Sequence, residues 1–459
     1  MTNKTAGPEL RSFLRDQRSG NMPEGAPLAS FETAPSVAIA PRLKSQWLLR
    51  CDRCNSEFSF GAYVFGCPTC AAQGLCGVLE CSFKPDPTPS FLNTANGARG
   101  LSRYLQALPV SRLEQWISLG AGGTPLVLSQ VVGPRLGLKR LYFKNETVNP
   151  TWSFKDRYVA VTANLARDFG YSRVVVSSTG NLGASAAAFA AALRLSCVFI
   201  ASEEAPRAQL QQAAQYGSHV AVVSRDRRAQ VFESLARTGG WFPIGLFLER
   251  SVQNPFGIEG YKSFAYEIIE ELGSEPQMVA FPSARGNGLY GAWKGFKEAM
   301  KWGWTTNLPA MAACQPVRWN SMELSLAECP LPPSLPACGS VATSASEEIP
   351  SRQAIEAVRQ SGGAAVSADD REILAAVTLL GQEGLCVEPA AALPVACLPK
   401  LLDRLNPSDA RPIVCVLTGS GMKWPSDLAR YDSKIRNFAN DQLDEQFLAW
   451  ADTKKGEAR

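Results

Sequence analysis

The stretch VVVSSTGNLGASAAAFAAALRLSCVFIA, residues 174–201, decides how the rest of the chain is read. Residues 174–178 are β-branched and small and predict a strand. A turn of Ser, Thr, Gly and Asn follows, then small residues suited to a helix over 181–193. A second apolar run, CVFIA at 197–201, predicts the next strand. Strand, turn, helix, strand is the unit of a parallel sheet covered by helices. The same alternation continues outward. PRAQLQQAAQYG reads as a helix, VAVV at 220–223 as a strand, MVAFP at 278–282 as a strand before the helix GLYGAWKGFKEAMKW, and VCVLT at 414–418 as a last strand. The expected fold class is α/β, with open parallel sheets, and ligands in such folds bind beyond the carboxyl ends of strands.

Composition narrows the function. The chain has 459 residues, 46% hydrophobic and 19% charged, with a formal net charge of +4. That charge is small for the length, and no basic stripe with interleaved aromatics is present, so no nucleic-acid partner is expected. The run Arg225-Asp226-Arg227-Arg228 reads as a solvated helix start. No segment has the roughly 18 uninterrupted apolar residues of a membrane helix. The first residues have no apolar signal core, so no membrane partner and a cytoplasmic location are expected. One histidine, His219, precedes an apolar run and reads as structural. A single histidine argues against a Ser-His-Asp triad, a multi-histidine metal site or an HExxH protease.

Residues 1–46 are rich in Pro, Gly, Ser and Ala without periodicity and read as a flexible extension. Residues 47–85 hold six of the 13 cysteines. Within them, Cys51-Asp-Arg-Cys54 and Cys67-Pro-Thr-Cys70 form C-x2-C-x12-C-x2-C, the spacing of two knuckles that place four thiolates around one Zn2+. With all four positions filled by sulfur, the zinc would be structural. Cys76 and Cys81 fall outside the pattern. The stretch 316–350 reads as a long loop or insertion, and 426–459 as a helical tail.

Residues 149–157, Asn-Pro-Thr-Trp-Ser-Phe-Lys155-Asp-Arg157, place a lysine at a loop-to-helix boundary. Ser177-Ser178-Thr179-Gly180-Asn181 follows a strand and opens a helix, which presents N–H groups and hydroxyls to an anion. Ser283-Ala284-Arg285-Gly286-Asn287-Gly288 does the same. Thr418-Gly-Ser-Gly421 follows the last strand. Together these give one reactive lysine, two anion cradles and a polar group near a ring.

From Gly123-Thr-Pro-Leu126 to Thr418-Gly-Ser-Gly-Met-Lys423, the chain resembles threonine synthases and their relatives, the fold-type-II pyridoxal-phosphate (PLP) enzymes of the tryptophan synthase β-like superfamily. Family members read close to NPTGSFKDR, STGN, a Gly/Asn-rich phosphate loop, EPASA and TGxGLK; here these are NPTWSFKDR, SSTGN, SARGNG, Glu388-Pro-Ala-Ala and TGSGMK. The resemblance implies two open parallel-sheet subdomains in a catalytic region over 100–425, the smaller one at about 160–260, behind an N-terminal zinc ribbon. It implies Lys155 as the Schiff-base lysine and Asn181 at the cofactor's 3-hydroxyl. Thr418 would face the pyridine nitrogen. Arg285, Gly286, Asn287 and Gly288 would hold the cofactor phosphate, and Ser178 and Thr179 the substrate carboxylate. A neutral threonine beside the ring nitrogen implies elimination rather than transamination.

The chain also departs from the family. Trp152 replaces a glycine and is expected to add bulk beside the cofactor; Tyr158 replaces another glycine, and Ser420 a common histidine. Where the family reads NPYR-x-EGQK, with an arginine attributed to the substrate phosphate, this chain has Asn254-Pro-Phe-Gly257-Ile-Glu-Gly-Tyr-Lys262. Arg285 stands where a small or amide residue is usual. The expected activity is removal of a leaving group, phosphate or similar, from an L-amino acid such as O-phosphohomoserine, followed by addition of a nucleophile. The alternatives are β-replacement on O-phosphoserine, as in cysteate synthase-like relatives, a serine or threonine dehydratase, and a degenerate homologue kept for binding. Without the arginine, O-phosphohomoserine is expected to be handled poorly. A homodimer is the assembly to expect.

Overall fold

The computed structural model describes residues 41–83, 97–110, 113–238, 240–247, 252–331, 339–345, 349–408 and 410–435. Most of the expected N-terminal extension and C-terminal tail lies outside the described residues. The extension's end is ordered: Pro41–Gln46 is a helix, with Leu43 buried in the core.

Three antiparallel strands, β1 (Trp47–Cys51), β2 (Glu57–Ser59) and β3 (Leu79–Phe83), form the cysteine-rich ribbon in the order β2-β1-β3. β4 (Leu126–Leu128) and β5 (Leu141–Asn145) then start the larger sheet. The chain leaves it to build a second sheet from β6 (Arg173–Ser178), β7 (Ser196–Ser202), β8 (His219–Val223) and β9 (Trp241–Ile244). After a two-stranded hairpin, β10 (Leu246–Phe247) and β11 (Val252–Gln253), it returns with β12 (Met278–Pro282), β13 (Ala310–Pro316), β14 (Ala364–Ala368) and β15 (Ile413–Leu417). The smaller sheet is parallel, ordered β8-β7-β6-β9. The larger sheet is ordered β14-β13-β12-β15-β5-β4, parallel except for the edge strand β4. The fold is α/β, as expected, and no helix among the described residues is long and apolar enough to cross a membrane.

The strands read from sequence recur nearly residue for residue; β6, β7, β12 and β15 are largely buried and so must be mostly apolar, whereas the edge strand β8 is partly exposed. β15 is buried at all five positions. The Ala-rich helix Asn181–Ala192 has small residues for a steric reason: a Cβ at Gly183 would sit 2.3 Å from the Phe199 ring on β7. β9, β13 and β14 were not foreseen. WFPI carries a proline, and AMAACQP and AAVSA are alanine-rich, so pairing makes them strands: β13 lies between two neighbours, and β9 and β14 each pair with one at a sheet edge. The expected loop over 316–350 contains a helix, Ser321–Leu326, and a 3-10 turn, Thr343–Ala345.

The ribbon is not a separate module on a tether. Trp47, Leu49 and Phe60 belong to the same buried cluster as the catalytic region. The Phe60 ring lies 6.1 Å from Phe169 and 5.5 Å from Phe256. Lys262 Nζ sits 5.2 Å from the centre of the Trp47 ring.

One charged network fixes the segment that carries Lys155. Arg157, on the helix Lys155–Asp168, is fully buried. Its Nε and Nη2 each donate to Glu146 at 2.8 Å, and its Nη1 and Nη2 donate to Glu267 at 2.6 and 2.7 Å. Lys144 on β5 pairs with Glu267 at 2.9 Å, and Gly123 N–H donates to the same carboxylate at 2.8 Å. Burial alone would raise the Glu267 pKa, but Arg157 and then Lys144 pull it down to about 2. Removing one partner of such a group strands the others in a low-dielectric site, at a cost of about 3–5 kcal/mol. Arg157→Ala is therefore expected to lower unfolding stability by about 3–5 kcal/mol at neutral pH. Glu267 has a lowered folded-state pKa, so its stabilisation is present above the ordinary value of 4.5 and is lost as pH falls towards 2. Denaturant titrations should thus show the deficit shrinking over that window; a deficit below 1 kcal/mol at pH 7 would show that the network is not what holds this segment.

Candidate active site

Both parallel sheets end their strands at one cavity of about 190 Å3. β6 delivers Ser177 and the turn Ser178-Thr179, which opens the helix Asn181–Ala192. β12 delivers Pro282 and the turn through Arg285 and Gly286, which opens the helix Asn287–Lys301. β15 delivers Thr418, and the helix Lys155–Asp168 begins with the lysine itself. Every residue singled out from sequence for a cofactor or substrate role lines this cavity.

The backbone is shaped to the cradle. Gly286 has φ +86°, and a Cβ there would lie 2.4 Å from Ala354 Cβ. A Cβ at Gly288 would lie 2.9 Å from the Phe154 ring. Glycine is required at the first by conformation and space, and at the second by space alone. Two buried amide oxygens, Asn181 Oδ1 and Asn287 Oδ1, find no hydrogen-bond partner among the described residues. Buried polar atoms are normally paired, so each is suited to a group bound in the cavity.

Lys155 is half-buried, opening on the cavity, with its Nζ 4.3 Å from the centre of the Phe154 ring. Burial lowers its pKa to about 8, against an opposing pull from Glu388. Glu388 is a residue to which the sequence reading gave no role. It is buried, lines the cavity, and accepts from Asn181 Nδ2 at 3.0 and 3.1 Å, Ser344 Oγ at 2.9 Å and Trp424 Nε1 at 2.5 Å. It thereby fixes which way the Asn181 amide points. Ser344 comes from the stretch expected to be a loop, where no local pattern marks it.

Three expectations change. Trp152 does not narrow the cavity: it is 48% exposed and is not part of the wall. Its φ is +64°, the left-handed region where glycine is at ease, and that backbone turn directs the indole outward. Arg228 is not simply a solvated helix residue, because it lines the cavity. Finally, Tyr158 and Gly257 are one feature rather than two. A Cβ at Gly257 would lie 2.1–2.2 Å from three atoms of the Tyr158 ring. The ring is buried, lines the cavity, and its hydroxyl donates to Asn254 O at 3.4 Å. No side chain at 257 can coexist with it.

The four ribbon cysteines converge separately. Their Sγ atoms all lie within 4.8 Å of one another, with Cys51–Cys70 at 3.7 Å and Cys54–Cys67 at 3.6 Å. Tetrahedral thiolates at about 2.3 Å from zinc would stand about 3.8 Å apart. A Cβ at Gly77 would lie 2.6 Å from Cys51 Sγ, so a glycine closes this side of the group.

Residues 117–419 match the family of pyridoxal-phosphate dependent enzymes. The chain is 33% identical over 392 residues to the threonine synthase of Methanocaldococcus jannaschii, covering 83% of this chain and 94% of that one. It is 34% identical over 329 residues to the threonine synthase of Mycobacterium tuberculosis, covering 71% and 88%. Among solved structures, maize serine racemase aligns with a TM-score of 0.57 at 21% identity over 68% of this chain and 93% of that one. O-ureido-L-serine synthase aligns with a TM-score of 0.54 at 18% identity over 71% and 96%. At those identities the likeness is one of fold. By family match, by similarity to threonine synthases and by fold, the chain belongs to the pyridoxal-phosphate-dependent enzymes, as a threonine synthase-like member of fold type II.

Proposed function

We propose that Lys155 carries the cofactor and that the chain removes a leaving group from a short, serine-derived L-amino acid and adds a nucleophile in its place. The observation that carries this reading is the convergence of Lys155, both anion-binding turns, Asn181 and Thr418 on one cavity. When bound, the cofactor supplies an electron sink for charge left at the substrate's α-carbon. The chain's own residues do the rest. Backbone N–H groups at residues 286–288, with Arg285, hold the phosphate at a helix N-terminus. Ser178 and Thr179 would hold the substrate carboxylate, and Asn181, its amide set by Glu388, would turn its unpaired Oδ1 toward the cofactor. Thr418, a neutral residue lining the cavity, would face the ring nitrogen without supplying it a charge, which would favour elimination over transamination. Lys155, with a pKa near 8, is matched to taking and returning a proton near neutral pH.

The substrate side of the proposal rests on Tyr158. A guanidinium binds phosphate through charge-assisted bonds worth roughly 1.5–3 kcal/mol each. Position 257 offers none, and the Tyr158 ring fills the space it would need. O-phosphohomoserine should therefore be a poor substrate. The four-cysteine group is proposed to hold one structural Zn2+, which would fasten the ribbon to the shared core.

Three outcomes are expected. Protein stripped of cofactor should recombine with PLP at a rate that rises with pH, because the neutral amine attacks, and levels off above about pH 8; Lys155→Ala should show no borohydride-reducible absorption band. A rate still climbing beyond pH 10 would mean that Lys155 titrates as an ordinary lysine. Metal analysis should find one zinc per chain and its loss in the Cys51→Ser, Cys54→Ser double variant, and full zinc in that variant would refute the ribbon assignment. For O-phosphohomoserine, kcat/KM should fall below about 10⁴ M⁻¹s⁻¹ and rise at least about tenfold in Tyr158→Gly with Gly257→Arg, whereas Gly257→Arg alone gives no gain. A wild-type value above that limit, with threonine as product, would restore plain threonine synthase.

A further inference from the structure

Three cationic side chains line the cavity, Lys155, Arg285 and Arg228, against one carboxylate, Glu388. The proposed function uses two of the cations. Lys155 carries the cofactor. Arg285 is built into the turn that opens the helix Asn287–Lys301, where its carbonyl accepts from Ser351 N–H at 3.0 Å. Arg228 has no place in that scheme. It belongs to the first turn of the helix Arg225–Arg237, which packs across β6, β7 and β9 of the smaller sheet. It lines the cavity together with Ser177 and Ser178 at the end of β6 and Gly245 after β9.

We propose that Arg228 is a specificity-determining residue that receives an anionic group on the substrate's side chain; this rests on the function proposed above and names the substrate class for that same site. Two observations lead there. First, the larger lobe cannot supply this cation from position 257, because Tyr158 occupies the space. Second, the turn at Ser178 and Thr179 supplies hydroxyls and N–H groups for a carboxylate, so a guanidinium beside it is surplus to that task. The residue sequence of that first turn agrees: three of its four residues are arginines, at a helix N-terminus where the dipole favours anions. The Tyr158 ring fills part of the cavity wall, which favours a short substrate side chain at Arg228. The class is an L-amino acid with an anionic leaving group on its β-carbon, such as O-phospho-L-serine. Chemically, Lys155 takes the α-proton and the Cβ–O bond breaks with its electron pair leaving on phosphate; the nucleophile then bonds to Cβ, giving up its own proton to solvent, and Lys155 returns its proton to the α-carbon.

The test uses the full-length protein with its cofactor bound and compares wild type, Arg228→Gln and Arg228→Lys. Each is titrated with O-phospho-L-serine and with O-acetyl-L-serine, which shares the β-carbon leaving position but not the charge. Binding is read from the cofactor's absorption and turnover from release of phosphate or acetate. The expected result is a loss of about tenfold to a hundredfold for O-phospho-L-serine in Arg228→Gln, partial recovery in Arg228→Lys, and a change within about twofold for O-acetyl-L-serine, consistent with loss of a single charge-assisted contact. Equal losses on both compounds would overturn the proposal, since Arg228 would then serve the carboxylate or the fold. Loss of the cofactor band in Arg228→Gln would overturn it too, by assigning Arg228 to the cofactor phosphate. Wild-type protein that binds O-acetyl-L-serine but not O-phospho-L-serine would overturn the inference and leave the cofactor reading standing. Wild-type protein with no reducible cofactor band at all would remove both.

Discussion

The buried guanidinium of Arg157 is the constraint on which the site depends. Two residues from Lys155, it is gripped on one side by Glu146, just after β5, and on the other by Glu267, on the helix Ser263–Leu272. Its planar fork meets both carboxylates through paired bonds, a geometry a lysine could not reproduce. The stabilisation it gives is modest relative to an apolar core of the same volume, since desolvating the charges offsets much of their attraction. What it supplies is position. The first turn of the helix Lys155–Asp168 can take one register against β5, and the lysine amine is thereby fixed at the cavity.

Around that fixed point, the site is made by backbone close approach more than by side-chain variety. Gly286, Gly288 and the Ala-rich helix behind Asn181 leave room for a group of cofactor size. Asp156, next to the lysine, is buried and spends its oxygens on Thr151 and Ser185, at 2.6–2.7 Å and 2.5 Å. That ties the loop before Lys155 to the helix that begins with Asn181. Glu388 repeats the device on the opposite wall by holding Asn181, Ser344 and Trp424 together. The carboxylates nearest the lysine are therefore structural anchors, and the charge of Glu388 also tempers how far burial lowers the lysine pKa.

The ribbon has a related role. Its aromatic residues complete the core beneath the helices that position the cavity, so the four-cysteine group stabilises the catalytic region through shared packing rather than by reaching the site. Cys76, which is exposed, and Cys81, which is buried against the chain at Pro255, lie outside the group, as their spacing implied.

Elements whose chemistry is local were legible in the order of residues alone. Strands buried on both faces must be continuously apolar, so β6, β7, β12 and β15 were legible, and each carries its turn with it. The CxxC pairs were legible because thiolate spacing alone can define a tetrahedral group. The tertiary structure decided whatever depends on residues far apart in the chain. Alanine-rich strands β13 and β14 are strands only because their neighbours pair with them. Trp152 faces outward because its backbone is left-handed, a conformation that suits the glycine usual there and that the tryptophan itself does not announce. Arg228 reaches the cavity because its helix crosses the smaller sheet. Tyr158 and Gly257 looked like two unrelated departures, and packing between the helices Lys155–Asp168 and Gly257–Tyr261 makes them one substitution. Local propensity records what a segment can form, whereas the space left for a side chain is set by whichever distant segment packs against it.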